Sequence, residues 1–139
     1  MPEIKVMKKI LERLLKDLDY KDKELSVLFT NDREIAALNE QYRFKAGPTN
    51  VLSFPMNEGE YTIATTLLGD IVISIETALR EAEQKGIPFI DYLAQLLIHG
   101  LLHLIGYNHE YSEEQAVIME KEEARLLDFT LNHLMNEVA

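Results

Sequence analysis

The sequence predicts an α+β fold, a small mixed sheet of three or four strands packed with about five helices. Three observations carry that expectation: apolar residues at helical spacing near both ends, short β-rich runs between them, and one long greasy segment in the second half. With 139 residues, 47% of them hydrophobic, and no linker or repeat to divide them, the chain is expected to form a single domain, 1-139, around one core.

Met7, Leu11, Leu14 and Leu18 recur in steps of four, three and four, which predicts an amphipathic helix over about residues 3 to 18. Glu24 to Thr30 reads as a strand. Asn31 with Glu34 forms a capping box that opens a helix through Ile35, Leu38 and Tyr42, with Ala46-Gly47-Pro48 expected to end it. Strand followed by helix points to a crossover unit. Val51 to Phe54 predicts a short strand stopped by Pro55, and Leu67 to Ser74 another.

Glu76 to Lys85 reads as a helix, with Gly86 and Pro88 as its stop. The next helix starts near Pro88, and Leu93, Leu96, Leu97, Ile98, Leu101, Leu102 and Leu104 cover most of its circumference. That pattern predicts a central, buried helix ended by Gly106. Ser112 with Gln115 forms a second capping box, and Ala124, Leu127, Leu131, Leu134 and Val138 predict the packing face of a final helix.

Charge and composition exclude several functions. A net charge of −10 argues against coating nucleic acid through the overall field, so RNA, if bound, is bound locally. The acidic run from Glu110 to Glu123 reads as a solvated helix face. There is no cysteine, so disulfides and thiolate zinc sites are ruled out and a metal must use imidazole, carboxylate or water. The charged start, Met1-Pro2-Glu3-Ile4-Lys5, and a greasy run interrupted by His99, Gly100 and His103 fit neither a signal peptide nor a membrane span. A cytoplasmic protein is expected.

Three of the four histidines fall within eleven residues, His99 to His109. On a helix, residues four apart share a face, so His99 and His103 can aim at one ion. Gly106 can turn the chain back and return His109 as a third ligand. Three ligands leave a fourth position open, which is the catalytic arrangement for zinc. The expectation is therefore a zincin-like metal site on the buried helix, with one Zn2+ per chain, although the Irving–Williams order lets nickel or copper bind in vitro. His133, alone on the last helix, reads as a surface residue.

The spacing equals that of metzincin proteases, H-E-x-x-H-x-x-G-x-x-H, except that Gly100 replaces their general base. Gly100 serves either to leave room near the metal or to let the helix pack closely. Arg43, with its planar fork of donors, suits phosphate oxygens and the charge of a phosphoryl-transfer transition state; its alternative is a surface salt bridge. Lys45 is a second phosphate contact or a solvated lysine. Asp70, inside an apolar strand, anchors backbone or marks a bend.

The stretch His99-Gly100-Leu101-Leu102-His103-Leu104-Ile105-Gly106-Tyr107-Asn108-His109 resembles the H-G-x-L-H-L-x-G-Y-D-H signature of the YbeY family. Asn39 to Arg43, Pro48 to Pro55 and Leu68 to Ser74 resemble its other blocks in order, so that the likeness spans about residues 25 to 125. It implies a bacterial metal-dependent endoribonuclease specific for single-stranded RNA, acting in ribosomal RNA maturation and ribosome quality control. The implied partners are single-stranded RNA, ribosomal RNA and the ribosome or a ribosomal subunit, with neither membrane nor DNA expected. By the same resemblance, His99, His103 and His109 match the metal ligands and Arg43 the functional arginine. Asn108 stands where Asp is usual, and Ala46 where Asp is common. Asn108 can orient His109 but cannot act as a base at neutral pH. Two other functions compete: a metzincin-like zinc metalloprotease, and a non-catalytic ribosome-associated protein with a structural metal.

Overall fold

The computed structural model describes residues 2–56, 67–107 and 112–134, with side chains described from residue 5 to residue 132 within those spans. Among the described residues five helices and three strands follow in the order α1 (Pro2–Asp17), β1 (Glu24–Thr30), α2 (Asp32–Arg43), β2 (Val51–Pro55), β3 (Leu67–Ser74), α3 (Ile75–Lys85), α4 (Phe89–Leu104) and α5 (Glu113–Phe129). A π-helical turn, Thr130–Leu134, follows α5.

The sheet is mixed, in the order β1-β3-β2, with β1 parallel to β3 and β2 antiparallel to it. The predicted crossover is thus realised: the chain passes through α2 and β2 before returning as β3 in the middle. Alternation along the strands divides the sheet into two faces. Ile71 and Ile73, with Val27 and Phe29 opposite them on β1, face the main core built by α1, α3, α4 and α5. Leu52 and Val72, paired across β2 and β3, face the other way and pack on Ile35 and Leu38 of α2. Helix α2 therefore covers one face and α4 lies under the opposite one.

Helix ends follow side-chain chemistry. Asn31 and Ser112 accept the amides of Glu34 and Gln115, as their capping boxes predict, and Gly86 closes α3 in the left-handed region. The end of α2 departs from expectation. It stops at Arg43, well before Gly47, because Phe44 itself adopts the left-handed conformation (φ 57°) and the amides of Phe44 and Lys45 turn back onto the Asn39 carbonyl.

Helix α5 is rotated from the face that its leucine spacing predicts. Met119, Leu126 and Thr130 are buried, Leu127 is half-buried and Ala124 is exposed. Leu126 and Leu127 are neighbours, so the periodicity alone does not say which faces inward. The buried Thr130 hydroxyl donates to the Leu126 carbonyl at 2.7 Å, where the helix loosens into its π-turn. Leu134 and Val138, also expected on that face, lie outside the described side chains. No single described helix is long and apolar enough to cross a membrane.

Candidate metal centre

Helix α4 is buried nearly all round, as its apolar circumference predicts. Within it, Asp91, Gln95, His99 and His103 form a row at steps of four, and this row alone reaches partly out of the core from residue 91 to 104. The core thus fixes how the two histidines face.

The ring Nε2 atoms of His99 and His103 lie 3.1 Å apart, with the rings nearly perpendicular at 79°. On its other side, the His99 Nδ1–H donates to the Glu123 carboxylate. A carboxylate only accepts, so the proton of a neutral His99 sits on Nδ1 and the lone pair on Nε2 faces His103. Tetrahedral zinc holds imidazole nitrogens at about 2.0–2.1 Å, which puts two such nitrogens about 3.3 Å apart. The donor chemistry and the spacing of the pair therefore fit a zinc-like ion. Among the described residues no group of three or more metal-ligating side chains converges; His109 and Asn108 lie outside those residues, and so does the return of the third ligand. Gly106, at φ 109°, does turn the chain where α4 ends.

Glu123 is the residue that sequence reasoning missed. It belongs to the acidic run read as a solvated face, yet its side chain is only 33% exposed. Its signal was available: Glu123 stands four residues after Met119 and three before Leu126, the two buried apolar positions of α5. A glutamate on an inward face needs a partner, and His99 is that partner.

Gly100 is settled in favour of close packing. A Cβ there would meet Ser53 Oγ and Ile71 Cγ2, each at 3.1 Å, and Ser53 donates its hydroxyl to the Gly100 carbonyl at 3.3 Å. The helix backbone rests directly on β2 and β3, so a side chain at this position, such as the metzincin glutamate, would have to push Ser53 and Ile71 aside.

Arg43 and Lys45 lie at the exposed C-terminal end of α2, apart in the chain from the histidines. Among the described residues Arg43 forms no ion pair. The two helices reach the same end of the sheet from opposite faces. Tyr42 packs edge-on against Phe54 of β2, with ring centroids 5.5 Å apart, while Leu104 of α4 packs beneath Gly69, the β3 residue next to Pro55. Asp70 takes its place in β3 between Ser26 and Phe54 and is half-buried.

Fold and site together define a small α+β protein that sets an imidazole pair on its central helix against a mixed sheet. Comparison with known proteins gives the family. The sequence model described as "Endoribonuclease YbeY" matches residues 3–130, and the chain belongs to that family. Similar relatives of that name come from Geobacter metallireducens, 47% identical over 86% of this chain and 81% of the relative, and Syntrophus aciditrophicus, 44% identical over 89% and 79%. The solution structure of TM1509 from Thermotoga maritima superposes with a TM-score of 0.68 at 25% identity, covering 96% of this chain and 86% of that one.

Proposed function

We propose that this chain is a zinc-dependent endoribonuclease specific for single-stranded RNA, acting in the cytoplasm on ribosomal RNA during its maturation and in ribosome quality control, with the ribosome or a ribosomal subunit as partner. The observation that carries the metal part of this reading is the His99–His103 pair, with ring Nε2 atoms 3.1 Å apart and His99 braced by Glu123. The RNA part rests on family membership.

In this reading His99, His103 and His109 hold one Zn2+. The ion supplies a Lewis acid for a phosphoryl oxygen and acidifies water, which removes the need for a glutamate at position 100. Glu123 fixes the tautomer and ring orientation of His99, as carboxylates behind ligating histidines generally do. Arg43 offers two parallel N–H donors to phosphate oxygens and stabilises the charge that grows on them during reaction; Lys45 adds a second phosphate contact. Burial of α4 against β2 and β3 keeps the histidines at fixed spacing, so little reorganisation is needed at the moment of reaction.

Purified protein assayed for metal, and against unstructured RNA and casein with and without zinc, tests the proposal. About one zinc per chain and zinc-dependent cleavage of RNA alone is the expected result. Cleavage of casein would indicate a peptidase, and metal without cleavage of either would indicate a structural site.

A further inference from the structure

The C-terminal end of α2 carries two costs that the described residues do not offset. Phe44 holds a left-handed backbone, φ 57°, a region unfavourable for a bulky side chain. The residue is also 89% exposed, so the strain is not traded for burial. Glycine would form the same turn without strain and without a ring in water.

The turn is nonetheless firmly held. Asn39, buried, accepts the Phe44 and Lys45 amides on its carbonyl and donates its side-chain amide to the Gly47 carbonyl at 3.0 Å. The ring is thus presented by a fixed backbone. It stands between two exposed cations, Arg43 and Lys45, in a chain whose net charge is −10. Tyr42 anchors this end of α2 on Phe54, beside the end of the sheet that Leu104 of α4 also underlies.

We propose that Phe44 is a stacking platform for one unpaired base of the RNA, with Arg43 and Lys45 taking phosphates on either side. This rests on the endoribonuclease reading and names a substrate contact within it. A flat apolar ring set between cations matches a nucleotide strand, which offers a π-face and an anionic group at every step. A protein partner docking through apolar contact would favour apolar neighbours, whereas both chain neighbours of Phe44 are exposed cations. Only unpaired bases can splay out onto a ring, so Phe44 gives the single-strand preference a physical cause. Tyr42, two residues before Phe44, packs on Phe54 of β2, and α4 meets the same strand at Ser53, so a bound strand would run along β2.

The test measures binding of a cleavage-resistant 2′-O-methyl phosphorothioate oligonucleotide of unstructured sequence to the zinc-loaded full chain, with melting followed in parallel. Phe44→Gly is expected to weaken binding at least about fivefold, the lower end of what one stacked base contributes, while raising Tm by a few degrees through release of the left-handed strain. Phe44→Trp is expected to bind within about twofold of the parent. An abasic site scanned along the oligonucleotide should weaken the parent at one position and leave Phe44→Gly unaffected there. If Phe44→Gly binds as the parent does, the stacking role is overturned while the endoribonuclease reading stands. Equal losses in the Gly and Trp variants would overturn it as well. A parent that neither binds nor cleaves RNA would overturn both.

Discussion

The histidine row of α4 and the aromatic-basic end of α2 handle polar chemistry in opposite ways. His99 and His103 stand on the most deeply buried helix, with Glu123 of a second helix behind them. Arg43, Phe44 and Lys45 stand in solvent on a turn held by Asn39. In the first region any loss of chemistry is also a loss of packing or pairing, because the polar atoms belong to the core's own accounting. In the second, side chains can change without disturbing the packing of the core. Stability and activity should therefore move together at α4 and separately at α2.

The largest effect is expected from His103→Ala. It removes one of the proposed ligands, whose Nε2 lies 3.1 Å from that of His99. RNA cleavage should fall to background, zinc content toward zero, and Tm in the presence of zinc below the parent's, since an ion that binds only the folded state stabilises it. A variant that melts like the zinc-loaded parent would separate the site from the fold and break the contrast.

Arg43→Ala tests the other side. Metal content and melting should stay near the parent's while cleavage drops about 10²–10³-fold, as removal of a charge-stabilising donor commonly does. Arg43→Lys should rescue poorly, because lysine keeps the charge but not the planar fork. Full rescue would reduce Arg43 to local positive potential, and full activity in the alanine variant would remove it from the mechanism.

Glu123→Ala is expected to weaken zinc binding about 10–100-fold, with cleavage recovering at high zinc concentration. Glu123→Gln, whose amide oxygen can still accept from Nδ1–H, should lie between the two. Competition against a chelator measures both. Zinc affinity equal to the parent's in the alanine variant would make the His99–Glu123 contact merely structural.

The smallest effect is expected at Asp32, which belongs to neither region. Its carboxylate joins the start of α2 to α3 by accepting from Ser74 Oγ (2.6 Å), Thr77 Oγ1 (2.5 Å) and Arg80 Nη2 (2.7 Å). The Ser74 hydrogen bond, then Thr77 and Arg80, lower its pKa from 3.8 to about 2. A pKa depressed by folding stabilises the native state above the unfolded value, and that stability is lost as pH falls from about 4 to about 2. The contribution is about 1–2 kcal/mol after allowing for partial exposure. Asp32→Asn should thus lower Tm by a few degrees at neutral pH and leave RNA cleavage unchanged, and its difference from the parent should shrink as pH falls toward 2. Denaturant melts at pH 7 and pH 2 would check this.

What the sequence alone determined was local. Strand limits at Glu24–Thr30 and Leu67–Ser74, the caps Asn31, Ser112 and Gly86, the buried α4 and the four-residue step from His99 to His103 all follow from neighbours within one or two turns, where periodicity and capping chemistry act directly. Family blocks carried the likeness on which the RNA reading rests. What only the tertiary structure decided was which distant groups meet. Position 100 reads equally as room near a metal or as close packing until Ser53 and Ile71 are seen against it. Glu123 reads as one solvated carboxylate among many until α5 is rotated about Met119 and Leu126 to bring it to His99. The end of α2 reads as Gly47 until Asn39 draws the turn shut at Phe44. The physical reason is common to all three. A residue's own helix or strand sets its spacing, but the rotation of that element about its axis is chosen by the whole core, and no local pattern carries that information.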